Sequence, residues 1–331
     1  MKILINRYHP VCEDLCLALS KLGHEVTLSI NTSINDHYGN WEYFLKKLKE
    51  EYNEFNIITL KQALFFLNQK KYDLVGVDGV FDGDKLLLDI CDNKNIPQFC
   101  INGYPGVVDE PSKNIISLGW FLPNIQYLQK YPSEGHKKQL DWKNISKNGV
   151  SEGKNICVFY PPFFRFKEKL KYSKLPQKEN KIISLIQLYE KYNKYSYDCF
   201  KKIKEHVNVE NLEKRPKEEV FDSLQKSVAL LHLKFADQPG IAIFEAMLMG
   251  RPVLTMKSFV LASMNQEVLI DGYNAVVADD LWEIVEASRD LKKLSYLGKN
   301  ARNHANMLTD FDRQKDKLKK FIERCLNDTV K

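Results

Sequence analysis

FADQPGIAIFEAMLMGRPVL, residues 235–254, is the stretch of this sequence that decides the fold. It follows the apolar run VALLHL (residues 228–233), which predicts a buried strand. A helix is predicted from Gly240 to Met249 and ends at Gly250, and residues 252–256 predict a second strand. A strand, a turn, a helix and a further strand in this order indicate a parallel α/β unit.

The turn before the predicted helix has the composition of an anion site. The amides of Gly240, Ile241 and Ala242 would be the unpaired donors of a helix N-terminus, which suits a diphosphate. Glu245 lies more than one turn along the helix, where its carboxylate can accept two hydrogen bonds from a ribose diol. Asp237 precedes the turn, at the strand end where open α/β sheets bind ligands. The alternative is a plain packing unit in which both acids are capping or surface residues.

Alternating strands and helices continue on both sides of this segment and set the fold class. Strand, helix and strand are predicted at residues 1–6, 13–22 and 24–28, and the alternation weakens only between residues 107 and 154. With 331 residues the chain exceeds one ordinary core. We therefore predict an α/β protein with two Rossmann-like domains facing a central cleft. The predicted domains are residues 1–165 and 166–312, with a terminal helix at 313–331 that crosses back to the first domain.

The segment from Asp237 to Arg302 resembles the C-terminal domain of GT-B glycosyltransferases of family 4. That family has an acidic residue, seven residues, then Glu, followed by Ala-Met-x-x-Gly-x-Pro-Val, which matches 237–253 here. Residues 267–274 and 297–302 resemble two further motifs of the family, and residues 22–26 resemble its N-terminal opening more weakly.

This resemblance implies a GT-B fold and transfer of a hexosyl or related group from a nucleotide-diphosphate sugar. The donor would bind the C-terminal domain and an unidentified acceptor the N-terminal one, with retention and without a metal ion or other cofactor. Glu245 would then hold the ribose and Asp237 the donor sugar's hydroxyls. Gly240, Ile241 and Ala242 would lie near the diphosphate.

The donor domain departs from the family pattern at two places. Asp237 stands where Glu is usual, so its carboxylate lies about one methylene closer to the backbone. The family has an Arg and a Lys that bind the diphosphate, and here the basic candidates are Lys191 and Lys194. The alternative is that these two lysines belong to a solvated helix face.

The N-terminal half departs further. The loop after the first strand contains Arg7 and His9 but no glycine. These two side chains either line the cleft near the diphosphate and acceptor or belong to an ordinary turn. Asn102 stands where the family often has His, and it can hydrogen-bond a sugar but cannot carry a proton at neutral pH.

Composition excludes several other classes of protein. The chain is 44% hydrophobic and 28% charged, unlike a disordered or fibrous protein. No window has the roughly 18 consecutive apolar residues of a membrane span. Its seven cysteines include no Cys-x-x-Cys pair, so we expect a reduced cytoplasmic protein without a cysteine metal site.

The net charge of +6 leaves several partners open. Trp41 to Tyr52 forms a predicted aromatic and basic helix that either lies on an anionic membrane or packs on its own sheet. Only eight of the 49 basic residues are arginine, which argues against tight reading of a nucleic-acid duplex. A glycosyltransferase that modifies nucleic acid and a catalytically weakened GT-B binding protein remain the alternatives.

Overall fold

The computed structural model describes most of the chain, and every structural statement below refers to that part. The described residues are 1–6, 10–30, 46, 48–77, 82–102, 114–118, 155–176, 180–185, 190–212, 215–234, 240–262 and 268–327. They form two α/β units joined by the connection after residue 159.

The first unit is a seven-stranded parallel sheet with the strand order β3-β2-β1-β4-β5-β6-β7. Its strands are β1 (Lys2–Asn6), β2 (Glu25–Ile30), β3 (Asn56–Thr59), β4 (Leu74–Val77), β5 (Gln98–Asn102), β6 (Asn114–Leu118) and β7 (Asn155–Phe159). Its helices are α1 (Pro10–Lys21), α2 (Leu60–Asn68) and α3 (Asp82–Lys94). The central strand β1 carries Ile3, Leu4 and Ile5 without exposure, because a parallel sheet is covered on both faces.

The order of the first sheet reverses between β1 and β4, and there the end of β1 is bonded to helix α3. The side-chain amide of Asn6, the last residue of β1, donates to the carboxylate of Asp84 on α3 at 2.6 Å. Both side chains are buried. Crevices at the carboxyl ends of such reversal points are where open α/β sheets bind ligands.

The second unit is a five-stranded parallel sheet with the order β12-β11-β10-β8-β9. Its strands are β8 (Ile182–Ser184), β9 (Val209–Asn211), β10 (Ala229–Leu231), β11 (Val253–Met256) and β12 (Ala275–Ala278). Its helices are α4 (Glu190–Lys204), α5 (Lys217–Gln225), α6 (Ile241–Leu248), α7 (Lys257–Ala262), α8 (Leu281–Ala287) and α9 (Leu291–Leu308). The order reverses between β8 and β10, and the chain reaches α6 from the carboxyl end of β10.

The last helix, α10 (Phe311–Asn327), returns to the first unit. Its apolar stripe of Leu318, Phe321, Ile322 and Cys325 is buried in the core of the first sheet. The ring of Phe321 meets Phe99 of β5 edge to face at 5.7 Å. This placement follows from a helix whose apolar residues recur at helical spacing while the opposite face is charged.

The segment that connects the two units is held by hydrogen bonds to α10 and to α1. The Gln314 side chain of α10 accepts from the Tyr160 amide at 2.8 Å and donates to its carbonyl at 3.1 Å. The Asp14 carboxylate of α1 accepts from the amides of Phe163 and Phe164, each at 3.1 Å. These bonds attach the start of the connecting segment, residues 160–164, to the first unit.

The predicted two-unit α/β fold is confirmed, and the differences lie in single elements. Strand β6 falls inside residues 107–154, where no strand was expected, because Asn114 and Ser117 interrupt its apolar pattern. The predicted helix at 41–52 lies partly outside the described residues, although 48–51 are helical. All seven cysteines are buried and unbonded to one another. In the described part, no helix has the length and apolar character needed to cross a bilayer.

Candidate functional site

The site is built around the start of helix α6, at the reversal point of the second sheet. Gly240 precedes the helix as its cap residue, and its carbonyl accepts from the Ile243 amide at 2.7 Å. The amides of Ile241 and Ala242 have no acceptor within the helix, because the first turn of any helix leaves them unpaired. From Ile243 to Leu248 every residue of the helix is buried, which holds its axis firmly in the unit.

The start of α6 also faces the first unit. Ile241, its first residue, packs against the apolar cores of both units. The ring of Phe244 meets two rings of the connection, Tyr160 at 5.8 Å and Phe163 at 6.3 Å. The unpaired amides of α6 therefore lie at the junction of the two units, where a cleft between them would be.

Three residues of the C-terminal motifs hold the other end of α6. Gly250 follows the helix with φ of +77°, a conformation that favours glycine. Gly298 of α9 comes so close that a Cβ there would lie 2.1 Å from the Gly250 carbonyl oxygen. The Arg302 guanidinium donates to the Leu248 carbonyl at 3.0 Å, one of the carbonyls a helix end leaves unpaired.

Glu245 is a buried carboxylate paired with a lysine that sequence reasoning did not single out. Its side chain is 2% exposed and contacts the ammonium of Lys217, the first residue of α5, whose side chain is 37% exposed. Burial raises the pKa of Glu245, and the Lys217 charge opposes that rise. Glu245 is therefore not the surface acid of the alternative interpretation. Lys217 stands only 28 positions away but in another helix, so helical or strand spacing does not reveal the pair.

The first unit presents polar groups at the carboxyl ends of its central strands. Asn6 and Ser29 are neighbours across β1 and β2, and both side chains are buried. Among the described residues, Asn6 Oδ1 and Ser29 Oγ have no hydrogen-bond partner. Buried polar atoms usually find partners, so a ligand or water is expected to supply them.

The other predicted site residues are placed only in part. Asp237, Arg7 and His9 lie outside the described residues, and their predicted roles stay predictions. Asn102 ends β5, and Lys191 lies on α4, but nothing is described of their side chains. Lys194 is on α4 with an exposed side chain.

The geometry of Gly240 and of two buried residues of the C-terminal motifs shows what each does in the second unit. Gly240 has φ of −58° and ψ of 139°, which any residue adopts, so the turn does not use glycine's freedom at that position. The fully buried Arg251 donates from Nε to the Leu224 carbonyl at 2.9 Å and from Nη2 to the Gln225 carbonyl at 2.7 Å. The buried amide of Asn274 closes the 268–274 turn by donating to the Val268 carbonyl at 2.9 Å. Arg251 and Asn274 are therefore structural.

A cavity of about 590 Å³ lies elsewhere in the first unit. Its wall includes Lys2, Glu25 and Asn56, the first residues of β1, β2 and β3. The amino ends of parallel strands are opposite the carboxyl ends, so this cavity is remote from the junction described above.

Comparison with known proteins rests on structure alone. No family model matches the sequence, and no curated protein matches it either. Among solved structures, Anabaena HepE in complex with UDP-glucose superimposes with a TM-score of 0.64 at 14% identity, covering 98% of this chain and 100% of HepE. The sucrose-phosphate synthase of Thermosynechococcus elongatus gives a TM-score of 0.60 at 11% identity, covering 98% of both chains.

A third similar structure is TarM of S. aureus, in a complex that contains UDP. Its TM-score is 0.62 at 9% identity, and the match covers 97% of this chain and 99% of TarM. At identities this low, the likeness establishes the arrangement of the two units and their elements over nearly the whole chain. The protein has the GT-B fold of these glycosyltransferases.

Proposed function

We propose that this chain is a glycosyltransferase that moves a sugar from a nucleotide-diphosphate sugar to an acceptor. The observation that carries the proposal is the start of α6, with Glu245 behind it, at the junction of the two units. A GT-B fold brings two crevices of this kind face to face, one for each substrate. The fold alone does not specify an activity, whereas the groups gathered at this junction favour one.

The second unit supplies the groups for the donor. The amides of Ile241 and Ala242 and the helix dipole of α6 would stabilise the charge that develops on the leaving diphosphate. Glu245 would accept from the ribose hydroxyls, and Asp237 from those of the donor sugar. Lys191 and Lys194 would add positive charge near the diphosphate. With these groups in place, we propose transfer that needs no metal ion and retains the anomeric configuration.

The first unit would bind the acceptor. Asn6 Oδ1 and Ser29 Oγ, at the ends of β1 and β2, lack a partner in the part of the chain that the structure describes and suit a ligand that brings hydroxyl groups. Arg7 and His9 come soon after β1 in the sequence. Asn102 ends β5, at the same edge of the sheet as the ends of β1 and β2. The Asp84 carboxylate also lies at this edge, where it accepts from Asn6. We propose that proton removal from the acceptor needs no side-chain base, as a retaining mechanism of the internal-return kind implies.

UDP-sugars are the first donors to test. HepE has been crystallised with UDP-glucose and TarM with UDP, and both share the fold of this chain. Those ligands belong to those proteins. They make UDP the first nucleotide to test here, because the match in fold covers nearly the whole chain.

The test is a thermal-shift screen with UDP-, GDP-, ADP- and CMP-sugars, followed by assay of nucleotide release. A ligand at about 100 times its dissociation constant adds roughly 2.7 kcal/mol of apparent stability. We expect a UDP-sugar to raise the unfolding temperature, and release of UDP to continue in the presence of EDTA.

The screen also separates the alternatives. Stabilisation by a nucleotide sugar without any nucleotide release, even with candidate acceptors, would indicate a binding protein that has lost catalysis. No stabilisation by any of the four classes would contradict the proposed function. Salt-dependent binding to DNA would favour a nucleic-acid acceptor.

A further inference from the structure

The pair formed by Lys217 and Glu245 joins a buried group to a partly exposed one. The Glu245 carboxylate lies on α6 in the interior, and the Lys217 ammonium reaches it from the first residue of α5. The Lys217 side chain remains 37% exposed, so it forms part of the surface above the carboxylate. Among the described residues, Lys217 therefore links the buried Glu245 carboxylate to the surface.

The ionisation state of Glu245 decides what it can bind. Burial favours the neutral acid and raises the pKa of Glu245, whereas the Lys217 charge favours the carboxylate. An ionised carboxylate accepts hydrogen bonds at both oxygens, but a neutral acid must donate at one of them. Two vicinal hydroxyls that both donate therefore bind the ionised form better, with one hydrogen bond to each oxygen.

The other charged groups around the pair are engaged elsewhere. On α5, Glu218 pairs with Lys169 at 3.4 Å and Glu219 with Arg215 at 3.5 Å. On α9, which packs against α6, Arg302 donates to a backbone carbonyl. The buried Arg251, just after α6, likewise donates to the carbonyls of Leu224 and Gln225. Lys217 is thus the cation that the described residues bring onto the Glu245 carboxylate.

We propose that Lys217 is a positioning residue for nucleotide recognition, which keeps the Glu245 carboxylate ionised and oriented toward the ribose hydroxyls. This inference rests on the proposed function, because it assigns the pair to the donor nucleotide. It also places the start of α5 beside the ribose, as a wall of the nucleotide pocket. Lys217 acts through Glu245 and is distinct from the lysines proposed for the diphosphate.

The experiment is calorimetric measurement of UDP binding between pH 6 and pH 9. The variants are Lys217→Met, Lys217→Arg and Glu245→Gln, with Lys226→Met as a matched control at the exposed end of the same helix. At pH 7 we expect Lys217→Met to bind UDP roughly 10- to 100-fold more weakly, the range for lost hydrogen bonds to a charged group. Lys217→Arg should stay within a few-fold of the unchanged chain, and so should Lys226→Met.

The pH profile distinguishes positioning from a merely structural role. In Lys217→Met the pKa of Glu245 should rise further, so UDP affinity should recover as the pH increases toward 9. Glu245→Gln should bind weakly at every pH. Adding Lys217→Met to Glu245→Gln should cause no further loss, because the two residues act as one unit. Circular dichroism and thermal unfolding report whether each variant folds.

Three results would overturn the inference while the unchanged chain still binds UDP. These are unaltered affinity in Lys217→Met, tighter binding in that variant, and a loss that is the same at every pH. Tighter binding would show that the ammonium competes with the ribose. Absence of binding by the unchanged chain to UDP, GDP and ADP would contradict the proposed function itself, and the inference with it.

Discussion

Glu245 is the residue that most directly tests the donor site. It is buried, it lies on the helix whose start faces the junction, and its carboxylate contacts a single lysine in the described part of the chain. Even a paired buried carboxylate loses much of its ion-pair energy to desolvation, so its presence within an otherwise apolar helix suggests a role other than stability.

We expect Glu245→Ala to bind a nucleoside diphosphate at least 10- to 100-fold more weakly, because hydrogen bonds to a charged acceptor contribute roughly 1.5–3 kcal/mol each. The fold should persist, since replacement of a buried charge by an apolar residue is often tolerated when its partner can reach water. Isothermal titration with UDP measures the change, and Glu286→Ala, an exposed change of the same type, is the control. Equal affinities for the two variants would contradict the ribose assignment.

Asp14 predicts a pH dependence of stability. Burial raises its pKa to about 7, although the amides of Phe163 and Phe164 favour its charged form. Its pKa in the folded chain is thus above the unfolded value of 3.8, so its contribution is fully present at low pH and is lost as the pH rises through 7.

The free energy of unfolding of the unchanged chain should therefore exceed that of Asp14→Asn by a margin that shrinks from about pH 4 to about pH 7 and then stays constant. Asparagine also loses one of the two acceptors, which adds a constant deficit at every pH. Urea unfolding at several pH values measures the difference. A lead that does not vary with pH would show that Asp14 titrates normally in the folded chain.

At the scale of elements, α6 depends on how closely α9 approaches its end. Gly298 leaves no room for a methyl group beside the Gly250 carbonyl, and Arg302 reaches across to the Leu248 carbonyl. Because α6 is short and buried, its direction is set by these contacts at one end and by Ile241 and Phe244 at the other. The orientation of the Ile241 and Ala242 amides, which we propose bind the diphosphate, depends on the direction of this helix.

Gly298→Ala should destabilise the second unit. The gain in helix propensity is about 1 kcal/mol, but overpacking against a backbone oxygen at 2.1 Å typically costs about 1–3 kcal/mol or more. We expect a net loss of roughly 2 kcal/mol and weaker nucleotide binding. Chemical denaturation measures the loss, with Asn303→Ala on the exposed face of α9 as a near-neutral control. A Gly298→Ala variant as stable as that control would mean the helices separate easily.

At the scale of the whole molecule, the two units share structural elements. Helix α10 follows the second unit in sequence but completes the core of the first, and the connection is bonded to both α1 and α10. The relative placement of the two crevices therefore depends on contacts between segments more than 100 residues apart.

Phe321→Ala tests this dependence. Removal of a buried aromatic ring typically costs 3–5 kcal/mol, so the first unit should lose about that much stability although the change is near the chain end. Hydrogen exchange should quicken in β1, β4 and β5 more than in β8, β10 and β11. Lys320→Ala, exposed on the same helix, should change neither sheet. Equal effects on both sheets would show that the units unfold together.

Local pattern was sufficient for the two-unit α/β fold and for a helix that ends before Gly250. Apolar strands, helix stripes and the stop at Gly250 are short-range signals, and each is read from neighbours in the sequence. The apolar pattern at Asn114–Leu118 is too weak to predict a strand. Its polar residues are accommodated because the strand pairs with β5 on one side and β7 on the other. Asp237, Arg7 and His9 remain predictions from the resemblance.

What the sequence by itself determined is the order of the elements and the chemical character of the α6 turn. Only the tertiary structure decided that Glu245 is buried against Lys217, that Ile241 contacts both cores, and that Gly298 sets the approach of two helices. The physical reason is that periodicity reports which face of an element avoids water. It does not report which distant element covers that face, because such contacts depend on how the whole chain packs.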